Sequence, residues 1–163
     1  FKFDEANVMN ELVYRNLSED AKRQICAWKY GGEYDLYNLP SYEEMQVRQI
    51  GFMNPQREKN YYGFWDESIL VGFVNILEEK EEVFIGIGVN PDLCNKHYGQ
   101  RMLLITYEIS KKLYPNKPLY LEVRTWNIRA VKCYQKAGFR IDGQAYELTT
   151  GIGTGTFYRM IRE

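Results

Sequence analysis

One histidine, His97, and fourteen tyrosines set the chemistry open to this chain. A single imidazole removes multi-histidine metal sites, and a Ser-His-Asp triad would have to use His97 as its base. With imidazole so scarce, a phenol becomes a serious candidate for proton transfer. Asn127, Ala130, Val131 and Tyr134 stand at i, i+3, i+4 and i+7, hence on one helical face, so Tyr134 is presented on the same side as Asn127. The competing reading packs Tyr134 as a core aromatic. A second cluster lies upstream. Asn90-Pro91 breaks a strand, a short loop follows, and a long helix begins near Gly99. Helix starts carry main-chain N–H groups without internal partners, and with the helix dipole they form an anion site suited to phosphate. Gly99 lets backbone approach a ligand closely, and Lys96 and Arg101 add positive charge. No Gly-Lys-Ser/Thr of a Walker loop is present. The alternative is an ordinary strand–helix turn with a surface lysine.

These residues need elements to hold them. Leu12-Val13-Tyr14 reads as a short strand. Ser18 reads as an N-cap with Glu19 and Asp20 in the first turn of a helix that stops at Gly31-Gly32. Ser41-Tyr42-Glu43-Glu44 is a capping box for a second helix over 42–53. Residues 60–66 and 69–77 read as paired strands, with Glu67-Ser68 as a tight turn. The charged run 78–82 is a solvated hairpin loop, and 83–89 is another strand. Met102, Ile105, Ile109 and Leu113 recur at helical spacing over 99–114. A strand over 119–123 and a helix over 128–137 closed by Gly138 follow. The last strands, 139–146 and 157–161, are joined by a Gly/Thr-rich loop. The order β-α-α-β-β-β-α-β-α-β-β predicts one α/β domain on a mixed sheet. Residues 1–10 have no clear period and read as a tail.

Composition excludes several classes. A chain of 163 residues is ordinary for a single domain, and a net charge of −1 lacks the basic excess of a general nucleic-acid or membrane-surface binder. No apolar run approaches a membrane span and no secretory signal is visible. Cys26, Cys94 and Cys133 are odd in number and far apart. They support neither a zinc knuckle nor a disulfide framework, and free thiols suit a reducing cytoplasm. No metal is expected.

The two chemical segments resemble the acetyl-CoA-binding motifs of the GNAT superfamily of N-acetyltransferases. The family pattern, basic or Gln-x-x-Gly-x-Gly/Ala, falls on Cys94 to Gly99. Cys94 replaces its basic or Gln residue, His97 replaces its first glycine, and Gly99 keeps the second. The signature Asn-x-x-Ala-x-x-x-Tyr-x-x-x-Gly-Phe is matched at Asn127, Ala130, Tyr134, Gly138 and Phe139. The likeness covers about residues 60–145. It implies an α/β (α+β) GNAT fold, a mixed, mostly antiparallel sheet of six to seven strands flanked by about four helices.

The resemblance further implies that main-chain amides of Asn95, Lys96, His97, Tyr98, Gly99 and Gln100 hold the pyrophosphate of acetyl-CoA. Strand backbone at Ile87, Gly88 and Val89 would bind the pantetheine arm, and an N–H there would stabilise the oxyanion of acyl transfer. The Cβ of His97 implies a looser loop or weaker cofactor affinity. Asn127 would hydrogen-bond the cofactor, and Tyr134 would protonate the departing thiolate. The run Leu-Glu-Val-Arg at 121–124, with Asn127 and Tyr134, resembles the branch that acetylates ribosomal-protein N-termini, where a glutamate in this place is the base. Glu122 is therefore the first base candidate, set against a structural salt bridge, and Glu82 is a weaker one.

The expected reaction is direct transfer of acetyl from acetyl-CoA to a primary amine of a small molecule or peptide N-terminus, in the cytoplasm. Tyr30, Tyr34 and Tyr37 cluster in a loop and are the acceptor-lining candidates, against a small core under a long loop. A homodimer is compatible with the sequence. The rival from another class is a catalytically silent acyl-CoA-binding sensor or interaction module. Gly151 to Gly155 superficially looks like a dinucleotide loop, but a strand follows it, so a hairpin is expected.

Overall fold

The computed structural model describes residues 11–163; the expected tail at 1–10 lies outside them. Eight strands and four α-helices alternate in the order β1 (Val13–Asn16), α1 (Glu19–Ala27), α2 (Tyr42–Arg48), β2 (Tyr61–Asp66), β3 (Ile69–Glu78), β4 (Val83–Val89), α3 (Tyr98–Leu113), β5 (Leu119–Arg124), α4 (Ile128–Lys136), β6 (Arg140–Ile141), β7 (Tyr146–Thr150) and β8 (Gly153–Arg162). The sheet is mixed and mostly antiparallel, ordered β1-β2-β3-β4-β5-β8-β6, with β7 also on β8. It has one strand more than the upper expectation.

The chain divides into two compact units. The first runs up to Val74 and takes in Gly88–Cys94. Its core gathers Leu17, Ala21, Ile25, Cys26, Tyr42, Met45, Phe52, Trp65 and Leu70, with Trp28, Tyr61 and Phe73 packed against it. Ser18 caps α1 by accepting from the Ala21 amide at 3.1 Å. Ser41 caps α2 by accepting from the Glu44 amide at 3.2 Å. α2 ends at Arg48, not residue 53, because Gln49 turns left-handed at φ 52°. Lys22 is only 2% exposed. Its ammonium bonds Glu19 at 2.9 Å and also Glu58, so this helix cation is a buried, doubly paired charge.

The second unit comprises Asn75–Ile87 and Asn95–Glu163. β4 and β5 run parallel, paired at their starts through Val83↔Leu119 and Phe84↔Tyr120. Parallel neighbours need a crossover, and α3 supplies it. β5 lies antiparallel to β8 from Leu119↔Arg162 to Arg124↔Phe157. Along β5, Leu119, Leu121 and Val123 are buried while Tyr120, Glu122 and Arg124 are half-buried, as the two-residue period requires. On α3 the buried face is Met102, Leu103, Thr106, Ile109 and Ser110, whereas Leu113 is exposed. Thr106 can take a core position because its hydroxyl bonds the Met102 carbonyl at 2.8 Å.

The last third departs most from expectation. The strand expected over 139–146 is interrupted by the left-handed Gly143, leaving the short β6 and a separate β7. The Gly/Thr-rich stretch is not a loop but two paired strands, Tyr146↔Phe157 through Thr150↔Gly153, turning at 151–152. The hairpin expected in place of a dinucleotide loop is therefore present.

Candidate functional site

In the second unit, α3 starts without a side-chain cap. Its N-cap, His97, is left-handed at φ 65°, and Asn95 also sits at φ 65°. His97 thus occupies a conformation that glycine adopts freely, and the Cβ it carries is strained there; Asn and His tolerate it better than most residues. The first in-helix bond reaches back from the Arg101 amide to the His97 carbonyl at 3.1 Å. The amides of Tyr98, Gly99 and Gln100 therefore lie in the turn where an α-helix has no partner of its own to offer. No acidic residue stands in that turn. Gly99 is buried, Lys96 is exposed, and the Arg101 guanidinium lies 5.2 Å from the Tyr98 ring centroid.

Asn127 is buried at the N-cap of α4, where Oδ1 accepts from the Ala130 amide at 3.2 Å. That places its oxygen in the fold itself, a role the motif reading had not assigned. Tyr134 is half-buried on α4, and its carbonyl accepts from the Ala137 and Phe139 amides to close the helix around Gly138. Cys133 beside it is half-buried, and burial pushes its thiol up.

Glu122 is not in a salt bridge with Arg124. Its Oε2 accepts from the Tyr146 hydroxyl at 2.5 Å. Burial first, and then this bond to a carboxylate, push the Tyr146 phenol far up, so it remains a donor. Opposite Glu122 on β8 stands Arg159. Arg159 grips both oxygens of Glu82, at 3.1 and 2.5 Å, and reaches Asp142 at 3.2 Å. Its guanidinium also lies 4.4 Å over the Tyr120 ring, whose hydroxyl bonds Glu79 at 2.8 Å. The 78–82 run is thus not only a solvated loop. Glu82, the weaker base candidate, has both oxygens committed to Arg159. Tyr146, Arg159 and Asp142 were missed by sequence reasoning; no spacing signal connects them to Glu122. Ile87 is half-buried in this unit's part of β4.

In the first unit, Gly88 has no room for a side chain. An added Cβ would stand 2.4 Å from the Phe73 ring. The glycine therefore serves aromatic packing, whatever its backbone binds. Val89 ends β4, and its carbonyl accepts from the Tyr30 hydroxyl at 2.6 Å. Asn90 is fixed next to it, its amide bonding the Val71 carbonyl at 2.8 Å and its side chain the Leu70 carbonyl at 3.2 Å. Tyr34 and Tyr37 lie half-buried in a two-turn 3-10 helix, Gly32–Tyr37. Cys94 donates to the Asn90 carbonyl at 3.8 Å.

Among the described residues no group of three or more His, Cys, Asp or Glu could hold a metal ion. No helix among them is long and apolar enough to cross a membrane.

A family model described as "Acetyltransferase (GNAT) family" matches residues 14–139. No curated protein sequence matches the chain. Among solved structures, the chain is similar to a chimera of the spermidine N-acetyltransferase SpeG from Vibrio cholerae with hSSAT, at TM-score 0.74 and 19% identity over 94% of this chain and 95% of that one. It is similar to a GNAT-family acetyltransferase from Bacillus anthracis, at TM-score 0.76 and 17% identity, covering 93% and 94%. It is also similar to AAC(6')-Ib in complex with ribostamycin and coenzyme A, at TM-score 0.71 and 16% identity, covering 94% and 93%. At such identities the likeness is one of fold.

Proposed function

The chain belongs to the acetyltransferase (GNAT) family, and on that premise we propose that it moves an acetyl group from acetyl-CoA to a primary amine, of a small molecule or a peptide N-terminus, by direct attack. The observation that carries the reading is the uncapped start of α3 behind left-handed Asn95 and His97. A helix start with no side-chain cap, and no carboxylate in the first turn, fits a diphosphate. Acetyl-CoA supplies an activated thioester, so the protein's tasks are to hold, orient and move protons.

In this reading the amides of 95–100 hold the diphosphate, and main chain at Ile87, Gly88 and Val89 aligns the pantetheine arm. Glu122 takes the proton of the incoming ammonium, with Tyr146 fixing the carboxylate. Tyr134 gives a proton to the departing sulfur. Asn127 contributes by capping α4, which carries Tyr134. Tyr34 and Tyr37 face the acceptor. The motif likeness to the ribosomal-protein branch favours Glu122 as base, but the acceptor itself is set by the first unit, which does not share that likeness. Acceptors of the kind named for similar structures, spermidine and ribostamycin, join an alanyl peptide as the amines to try first. A homodimer and a cytoplasmic address belong to the same proposal; the three cysteines are free, as a reducing compartment requires.

The test is thiol release from acetyl-CoA with spermidine, ribostamycin, an amino-acid amide and an alanyl peptide, beside thermal unfolding with coenzyme A. Turnover with at least one amine supports the proposal. Stabilisation by coenzyme A without turnover on any amine selects the silent acyl-CoA-binding module instead.

A further inference from the structure

We propose that Tyr30 is a positioning residue: its hydroxyl latches the 30–38 loop to the main chain at the end of β4, so that the loop offered to the amine keeps a fixed place relative to the strand offered to the acyl donor. The inference rests on the preceding reading in one respect, that backbone at Gly88 and Val89 receives the donor, and it replaces the simpler idea that Tyr30 merely lines an acceptor pocket.

The strand end is a fixed point. Asn90 is bonded twice to β3, through its amide at 2.8 Å and its side chain at 3.2 Å. Gly88 is backed by the Phe73 ring. The loop is the reverse. No residue of the turn Gly32–Tyr37 is fully buried, and Tyr34, Leu36 and Tyr37 are half-buried, so hydrogen bonds add to partial packing in setting its position. Asn38 closes the loop on Tyr30 from both sides. Its Oδ1 accepts from the Tyr30 amide at 2.6 Å, and its Nδ2 donates to the Tyr30 carbonyl at 3.3 Å. The clipped loop is tied to β4 by the bond from the Tyr30 hydroxyl to the Val89 carbonyl at 2.6 Å. The aromatic ring is a stiff strut for this purpose, with two torsions between backbone and hydroxyl. Tyr34 and Tyr37 ride on the loop that the strut holds.

The experiment is a double-mutant cycle on Tyr30→Phe and Asn38→Ala, read with the amine of highest kcat/KM from the panel and with coenzyme A. Tyr30→Phe deletes one oxygen and leaves the ring. The expected result is an amine KM raised about five- to tenfold, coenzyme A Kd changed less than twofold, and faster hydrogen exchange of amides 31–37. Asn38→Ala should give the same pattern, and the double variant should be no worse than the worse single one, since both act through one loop. A merely structural role would instead lower the unfolding temperature while leaving the exchange of 31–37 and the amine KM in their original proportion to kcat; that result overturns the latch. Unchanged amine KM in Tyr30→Phe, with coenzyme A bound and turnover intact, overturns the latch alone. Absence of coenzyme A binding in the wild type overturns the acetyl-transfer reading and the latch together. Should Tyr30→Phe not fold, Asn38→Ala carries the same readouts.

Discussion

Tyr146 donates its phenolic hydrogen to Glu122 Oε2 at 2.5 Å, reaching from β7 to β5 over β8, which runs between them. Glu122 accepts this bond while Arg159, its cross-strand neighbour, is held by Glu82 and Asp142. The guanidinium opposite it is thereby occupied, and Glu122 is oriented by a neutral donor. A carboxylate held in this way keeps a lone pair for an incoming ammonium. Glu122→Gln should lower kcat about 10²-fold near neutral pH. The deficit should narrow at pH 9, where solvent supplies more of the free amine. Tyr146→Phe should cost less, up to about tenfold, with coenzyme A affinity kept. A kcat equal to wild type from pH 6 to 9 in Glu122→Gln would remove the carboxylate from the chemistry.

Tyr134→Phe tests the proton donor. Loss of the hydroxyl should lower kcat about 10²-fold or more, with coenzyme A binding by calorimetry unaltered. The phenyl ring keeps the half-buried volume, so the unfolding temperature should hold. Unaltered kcat would end the acid role.

The start of α3 offers two opposite substitutions. Gly99→Val places a branched side chain in the buried first turn and should abolish coenzyme A binding in a protein that still unfolds cooperatively. His97→Gly removes the Cβ from a left-handed position and should stabilise by about 1 kcal/mol or somewhat less, once the greater freedom of the unfolded glycine is counted. The same variant should bind coenzyme A at least as tightly. Normal binding by Gly99→Val would count against the loop.

Gly88→Ala should destabilise by about 1–3 kcal/mol, the range for an overpacked core. The new methyl would meet the Phe73 ring at 2.4 Å, and that ring packs edge-on against Phe52 and stacks with Tyr61. Chemical denaturation reads the loss. A stability equal to wild type would mean that the ring moves freely.

The Lys22 cluster sets an acid limb. The hydrogen bond from Tyr42, and then that from Lys22, hold the Glu19 carboxyl below its usual range. Such a group stabilises fully above its unfolded pKa of about 4.5, and the contribution disappears as pH falls through the lower folded value. Burial pulls Lys22 down, but hydrogen bonds to Glu58 and Glu19 outweigh it and leave the ammonium raised. Its contribution is present below about 10.5 and fades only as pH rises through the higher folded value. Unfolding temperature should therefore drop as pH falls below about 4.5. Lys22→Met should make that drop shallower while changing stability at pH 7 little, because both carboxylates can return to water. An identical acid limb in Lys22→Met would show that the cluster does not govern it.

Local signals carried the first two-thirds of the fold. Ser18 and Ser41 cap the helices their hydroxyls announce. Glu67-Ser68 turns as its position between two apolar runs implies. The α4 signature placed Asn127 and Tyr134 on one short helix. What failed was long-range or depended on context. Glycine disfavours a strand, so the glycine-punctuated stretch between 146 and 157 read as a loop, yet its threonines suit extended backbone and pairing with a long neighbour overrides the glycines. Without β7, nothing brings Tyr146 to Glu122. The pairing of Lys22 with Glu58, far along the chain, likewise has no local signal. The stripe on α3 was read from Met102 and Ile109, which are buried, but also from Leu113, which shares their face yet is exposed as the last residue of the helix. The motif alone also did not reveal that Asn127 caps α4 through its Oδ1.

The Tyr30–Val89 bond spans 59 positions, and this dictates a timetable during synthesis. A ribosome that has delivered both early helices and the first two strands has not yet made the carbonyl that the tyrosine needs. The aromatic loop must therefore be among the last parts of its unit to settle, and a fragment truncated before residue 89 would keep its apolar core yet leave that loop adrift.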